Sequence, residues 1–161
     1  MKLYYKQKIF TLRQRSEIFD EHGNVIFTAL GELISLGRKM HIYDRNNSEV
    51  AFVQQRILRL LPRFSVYIGG QYTADIVKEF TFFKPRYRIE GLDWEISGDL
   101  FSHDYTINSG GDYIAYIHKR WMSWGDSYEI DIVNDNDVIM ALAVITAIDC
   151  VLDASQSSSS N

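Results

Sequence analysis

The chain has little of the chemistry on which small cross-linked or metal-dependent folds rely. Its 161 residues include one cysteine and two prolines. A single cysteine, Cys150, excludes an internal disulfide framework and a metal site built from clustered cysteines. The 14% of aromatic residues favours an ordered domain over a disordered chain. The length fits one domain that is large enough to bury a substantial core.

Signals for export and for catalysis are also missing. Met1 to Lys6 is followed by charged residues and not by an apolar run, so we expect a cytoplasmic protein, either free or peripheral at the membrane. The four histidines are not spaced as metal ligands. No serine or cysteine lies in a sequence context that marks a nucleophile, although the members of a triad come together only in the folded chain. These absences favour a non-enzymatic role and leave an unrecognised hydrolase as the weaker alternative.

The longest apolar run lies near the C-terminus, from Val138 to Leu152. Only Thr146 and Asp149 interrupt it, and on a helix its large side chains point in every direction. A helix that is apolar on all sides has to be enclosed by protein or by lipid. Fifteen residues rise only about 22 Å, which is short for a bilayer and long for a strand. We therefore predict a buried helix, capped by the polar segment 134–137.

The rest of the chain repeats with a period of about 23 residues. Each copy closes on an aliphatic residue in a segment of alternating polarity, for example Tyr128, Ile130 and Ile132 on one face and Glu129 and Asp131 on the other. Such alternation indicates a half-buried antiparallel strand. The copies begin near residues 9, 33, 57, 80, 100 and 121, and each is interpreted as strand, tight turn and strand. Clusters rich in Gly, Asn and Asp separate them.

Six such units predict about twelve strands in hairpin order. A closed barrel of that size has more interior than its own side chains fill, and the apolar helix can occupy that space. The predicted fold is mainly β, a closed antiparallel barrel of about twelve strands that encloses a central C-terminal helix. Residues 1–154 form this single domain, and the serine-rich segment 155–161 is expected to be disordered.

Positive charge is concentrated in the first part of the chain. Residues 1–90 carry 15 Lys and Arg against 9 Asp and Glu, whereas residues 91–161 carry 2 against 12. One basic set could meet phosphate headgroups, with Phe82, Phe83 and Tyr87 adding interfacial contact; the other interpretation is a solvated strand face. The set consists of Arg56, Arg59, Arg63, Lys78, Lys84, Arg86 and Arg88.

Nearly the whole chain resembles the LURP-one-related family, which is grouped with the tubby C-terminal domain and the phospholipid scramblases. The resemblance is carried by residues 33–37 (LISLG), 98–100 (GDL), 103–105 (HDY), 119–126 (KRWMSWGD) and 147–149 (AID). It implies a twelve-stranded barrel around the C-terminal helix. It also suggests phospholipid recognition, because tubby-like domains bind phosphoinositides, although no tubby-type basic motif is present here. Most LURP-one-related proteins have no assigned activity.

Two further sites come from particular acids. Asp126, Asp135 and Asp137 match acidic positions of a scramblase segment that is proposed to bind calcium, so a weak Ca²⁺ site is one interpretation and a turn with a helix cap is the other. No other cofactor is expected. Asp149 is expected at the barrel mouth, where it accepts hydrogen bonds and has a structural role.

The predicted function is a non-enzymatic binding module that recognises anionic phospholipid headgroups or the membrane surface. The alternative is a protein-interaction or structural domain, whose partner would be another protein. No catalytic residue is assigned, and no nucleic-acid partner is expected.

Overall fold

The computed structural model describes residues 1–8, 14–81, 86–120 and 127–158. It is a closed antiparallel barrel of twelve strands, followed by a 3₁₀ turn, Asp135–Asp137, and one helix, α1, Val138–Ser158. The strands are β1 Lys2–Lys8, β2 Arg15–Phe19, β3 Val25–Gly31, β4 Lys39–Asp44, β5 Glu49–Gln55, β6 Arg63–Ile68, β7 Gln71–Glu79, β8 Arg86–Glu90, β9 Trp94–Asp99, β10 Asp104–Ser109, β11 Asp112–Arg120 and β12 Ser127–Ile132.

The topology is the simplest that closes a sheet. Each strand pairs with its neighbours in sequence, and β1 pairs with β12 to complete the barrel. The predicted fold class is confirmed. Connections alternate between two ends of the barrel, which we name here. The turn end carries the short connections 20–24, 45–48, 69–70, 91–93 and 110–111, together with segment 133–137. The loop end carries, among the described residues, connections 32–38, 56–62, 80–81 and 100–103.

The sequence repeat corresponds to a repeat of local geometry at the turn end. Asp20 Oδ1 accepts hydrogen bonds from the backbone amides of His22 and Asn24, each at 2.9 Å. One repeat later, Asp44 Oδ1 forms the same pair of bonds with the amides of Asn46 and Ser48. The register then shifts after the closing aliphatic residue, and these shifts follow Ile18, Ile42, Val66 and Ile107. Bulges of this kind increase the twist that a sheet needs to close.

One part of the repeat interpretation was wrong. The opening residues of the copies were predicted to be first strands, but residues 32–38, 56–62 and 100–103 are loop-end connections. The true first strands lie earlier, within the segments between copies. The reason is that Leu58-Arg59-Leu60 alternates like a strand although it lies on no sheet, while Gly37 and Pro62 interrupt any ladder there.

The inward-facing residues were predicted correctly. Tyr128, Ile130 and Ile132 are buried, and so are Phe64 with Val66 and Tyr105 with Ile107. Small inward residues alternate with these large ones. Four alanines of the odd-numbered strands are almost completely buried, and they are Ala29, Ala51, Ala74 and Ala115. Small residues at these positions leave room for a helix inside the barrel.

Helix α1 fills the barrel and packs most extensively against β5 and β6. Every described residue from Met140 to Leu152 is buried. The helix ends at Ser158, so it includes the first four residues of the segment predicted to be disordered. Continuing an existing helix adds one hydrogen bond per residue, which outweighs the low helix preference of a short serine run. Within the described part of the chain, no helix has both the length and the apolar character required to span a bilayer.

Overpacking of this interior should destabilise the protein. Ala143 and Ala147 are fully buried between helix and barrel. We expect Ala143→Leu or Ala147→Leu to lower the free energy of unfolding by about 1–3 kcal/mol, measured by urea denaturation. Val25→Leu is the control, because Val25 is 42% exposed and its change should stay within about 0.5 kcal/mol. Unchanged stability in both alanine variants would contradict a filled barrel.

Candidate functional site

The basic set predicted from the sequence gathers on neighbouring strands. Arg56 and Arg59 belong to the β5–β6 connection, Arg63 begins β6, and Arg86 begins β8. Arg88 follows on β8, opposite Val77 of β7, which is itself opposite Arg63. Arg63 and Arg88 are therefore brought together on the outer wall, near the loop end.

Carboxylates neutralise much of this wall. Arg63 Nε lies 3.0 Å from Asp75 Oδ2, and Arg63 also pairs with Glu90. The Arg88 guanidinium donates to the same Glu90 at 2.6 Å. Arg56 Nε donates to Ser65 Oγ at 2.8 Å, and that hydroxyl donates to Asp75 at 2.6 Å. Within the described part of the chain, four members of the set have no side-chain ion pair and keep a free charge: Arg56, Arg59, Lys78 and Arg86.

The cavity beside β8 is not a cationic site. It has a volume of about 830 Å³ and lies over β7, β8 and β9. Its lining includes Arg86 and Arg88 but also four acids, which are Glu79, Glu95, Asp99 and Asp104. Four carboxylates against two guanidinium groups disfavour a bound anion. The cationic character of the set is therefore expressed at Arg56 and Arg59, at the loop end.

Two other members of that hypothesis, Lys78 and Tyr87, do not join the wall. Lys78 continues the inward-facing series of Ala74 and Ile76, and it pairs in register with Tyr87. Tyr87 is 5% exposed, and burial raises the pKa of its hydroxyl to about 12. It therefore offers no interfacial contact, contrary to prediction, because it lies on the inner face. Lys84, Phe82 and Phe83 lie outside the described residues.

A feature missed by the sequence analysis occupies the loop end. Among the described residues, thirteen large apolar side chains are exposed, and eight of them lie in the loop-end connections. These eight are Leu33, Ile34, Leu36, Ile57, Leu58, Leu60, Phe80 and Phe101. We name these eight residues the apolar rim. Isolated exposed leucines are ordinary, whereas several on one face mark an interaction surface. For the six rim residues in connections 32–38 and 56–62, the available signal was their position near Gly37 and Pro62, which are typical of loops.

The two connections that carry six of the eight rim residues are bonded to one another. Gln55 N donates to Arg38 O at 2.8 Å, and Arg38 N donates to Gln55 Oε1 at 3.0 Å. These bonds join the β3–β4 and β5–β6 connections. A Cβ added at Gly37 would lie 2.9 Å from Ile57 Cγ2, so the two connections pack closely there. The β3–β4 and β5–β6 connections therefore support one another, and the rim residues that they carry form one surface.

Two of the three acids proposed for calcium, Asp135 and Asp137, lie at the turn end. Asp135 and Asp137 are in the 3₁₀ turn, and Asp135 Oδ1 lies 3.1 Å from the amino group of Met1. Asn134 caps this turn by accepting from the amide of Asn136. Asp126 lies outside the described residues, and within those residues no three acids, histidines or cysteines are grouped as metal ligands. Calcium binding stays a prediction.

Asp149 lies inside the barrel near the loop end, and its side chain is 8% exposed. The Tyr128 hydroxyl donates to Asp149 Oδ2 at 2.6 Å. His103 Nε2 lies 3.4 Å from Asp149 Oδ1. The His103 imidazole stacks on the Tyr128 ring, with centroids 4.8 Å apart. Tyr5 also stacks on the Tyr128 ring, at the same centroid distance. Asp149 is thus surrounded by aromatic rings, and its structural role stays a prediction.

His103 was not predicted as a partner, because a turn residue 46 positions away gives no sequence signal. Asp99 Oδ1 accepts from the amides of Phe101 and Ser102 and so shapes the β9–β10 connection. His103 has a φ of 51°, and its amide donates to Leu100 O. At Gly98 an added Cβ would lie 2.6 Å from Asp104 O, so only glycine fits. These contacts aim the imidazole back into the barrel.

We expect the tyrosine–carboxylate bond to contribute to stability. Tyr128→Phe or Asp149→Leu leaves one buried partner unsatisfied and should cost about 1–3 kcal/mol, measured by urea denaturation. Asp149→Asn keeps an acceptor and should cost less. Tyr105→Phe is the matched control, since the Tyr105 hydroxyl is buried without a hydrogen-bond partner in the described structure. A larger loss in Tyr105→Phe than in Tyr128→Phe would contradict this assignment.

Three buried tyrosines near Asp149 should make the protein less stable at high pH. Burial raises the pKa of Tyr5, Tyr105 and Tyr128 well above the usual range, and the Asp149 carboxylate raises each further. Unfolded tyrosine ionises near 10.0, so their contribution is complete below that pH and is lost as the pH rises above it. We expect the free energy of unfolding to fall steeply above pH 10. Ultraviolet titration in which all 10 tyrosines ionise in the folded protein would contradict this.

Comparisons with known proteins give a family and name no activity. The family model described as LURP-one-related matches residues 1–149. The uncharacterised protein YxjI of Bacillus subtilis is 34% identical over 152 residues, which cover 94% of each chain. A crystal structure of an Arabidopsis thaliana protein superposes with a TM-score of 0.62 at 16% identity, over 93% of this chain and 91% of that one. This last similarity concerns the fold alone.

Proposed function

The chain belongs to the LURP-one-related family, and we propose that it is a non-enzymatic binding module that recognises an anionic phospholipid surface. The observation that carries the proposal is the unequal charge of the connections at the two barrel ends. In the described loop-end connections there are three arginines, Arg38, Arg56 and Arg59, and one acid, Glu32. Arg38 lies 3.9 Å from Asp153 of the helix, and the acids Glu79, Asp99 and Asp104 lie at the ends of strands beside the other loop-end connections, so the basic charge is concentrated at Arg56 and Arg59. The turn-end connections hold five acids and one arginine, Arg45.

This difference in charge gives the barrel one end that an anionic surface attracts. The strands of five to nine residues keep the acidic end roughly 15–25 Å away from the loop end. Exposed charges are screened over about 8–10 Å at physiological salt, so acids at that distance scarcely oppose an approach of the loop end. A basic surface next to apolar side chains is the combination that peripheral membrane proteins use.

Vesicle sedimentation tests the proposal. Binding to phosphatidylcholine vesicles that contain phosphatidylserine should exceed binding to phosphatidylcholine alone and should weaken steeply between low and physiological salt. Arg56→Glu with Arg59→Glu should reduce it by about tenfold or more, since each nearby basic residue contributes about 1 kcal/mol. Arg45→Glu is the control, because it reverses one arginine at the turn end, as Arg56→Glu and Arg59→Glu each do at the loop end, and it should have no effect.

The reversal of Arg86 with Arg88 separates the two parts of the basic set. These residues lie beside four acids, so we expect a smaller loss than for Arg56 with Arg59. Equal binding to neutral and anionic vesicles, or binding to neither, would refute phospholipid recognition. Binding to neither would favour the second candidate, a protein-interaction domain, for which the apolar rim is the specific observation.

A further inference from the structure

The most exposed apolar side chains of the described chain all project from the loop end. Ile34, Leu58 and Leu60 are 95–101% exposed, Leu36 is 80% exposed, and Phe80 is 75% exposed. At the turn end no described large apolar side chain exceeds the 64% of Val133. The side chains of Ile34, Leu58 and Leu60 therefore bury almost none of their surface against their own fold. These three residues contribute little to the stability of the barrel.

Arginine accompanies these tips. Arg59 lies between Leu58 and Leu60 in sequence and is itself exposed, and Arg56 precedes Ile57. Leu58 has a φ of 61°, a left-handed conformation that leucine rarely adopts. The connection thus keeps an unfavourable backbone conformation while it presents leucines on either side of a guanidinium group. A surface that accepts both must offer hydrocarbon and negative charge within a few ångströms.

A second copy of the chain does not meet that requirement. In a two-fold dimer the rim would face itself, which brings the Arg59 side chains of both copies into one apolar interface. Glu32 is the acid in the described loop-end connections, and it already pairs with Lys39 at 3.2 Å and with His41 at 3.1 Å. The border of an anionic bilayer provides phosphates for the arginines and acyl chains for the leucines.

We infer that the loop end inserts its apolar rim into the bilayer, with Leu58 and Leu60 among the acyl chains, Arg56 and Arg59 at headgroup level, and the barrel standing upright on the membrane. This inference rests on the proposed function and adds the depth and orientation of binding. It assigns membrane attachment to the tips of two joined connections and not to the strand wall that carries Arg88.

A fluorescent label at the tip measures insertion directly. Cys150 is 2% exposed, and burial raises the pKa of its thiol to about 12, so an introduced surface cysteine reacts selectively. Leu58→Cys labelled with the polarity-sensitive fluorophore NBD should shift to the blue on phosphatidylserine-containing vesicles and be quenched by spin-labelled acyl chains. Tyr72→Cys, at the turn end, should show neither effect.

Substitution separates insertion from electrostatic attraction. Leu58→Ala with Leu60→Ala should weaken vesicle binding by about 10- to 100-fold at every salt concentration, since less apolar area leaves water. Both side chains are fully exposed, so the variant should keep wild-type unfolding in urea. Arg56→Glu with Arg59→Glu should instead lose its effect at high salt.

The outcomes also separate the inference from the proposed function. Salt-sensitive binding to anionic vesicles without a shift of the label at position 58 would overturn insertion and leave phospholipid recognition standing. Binding to no vesicle would overturn both. A shift that depends on protein concentration without lipid would mean that a second copy covers the rim, and this would overturn insertion too.

Discussion

The structure depends on a mutual requirement between an apolar helix and a barrel that is too wide to fill itself. A helix that is apolar on every side cannot stay in water, and twelve strands close around more space than their own side chains occupy. Alanines on both components, such as Ala51 and Ala74 on the barrel and Ala143 and Ala147 on the helix, set the fit. Because each component buries the other, neither is expected to persist alone.

The two ends of the barrel differ in the length of their connections and in the side chains that these connections present. At the turn end, glycine pairs with positive φ and aspartate-capped turns return the chain in two to five residues. At the loop end the longer connections are free to carry side chains that face solvent, and they present the apolar rim. The core is already complete without those residues. The loop end can therefore serve binding at little cost to the fold.

The candidate surface and the buried polar cluster meet at the β9–β10 connection. Phe101 of the rim is two residues from His103, whose ring stacks on Tyr128 and lies beside Asp149. Asp99 and Gly98 fix the backbone between them. Asp149 of the helix therefore lies beside the connection that carries Phe101, through its contact with His103.

The sequence alone predicted the barrel and its helix, because repeated period-two alternation indicates half-buried strands and an all-round apolar run too short for a bilayer indicates a helix enclosed by protein. It also located the turn-end connections, whose Asp and Gly residues act through bonds to near neighbours. It could not determine the loop end. Leu58-Arg59-Leu60 has the alternation of a strand, and only strand pairing, a long-range property, decided that these residues are exposed. Likewise, the contact of His103 with Asp149 and the pairing of Arg63 with Glu90 join residues far apart in sequence, so they exist only once the barrel has closed.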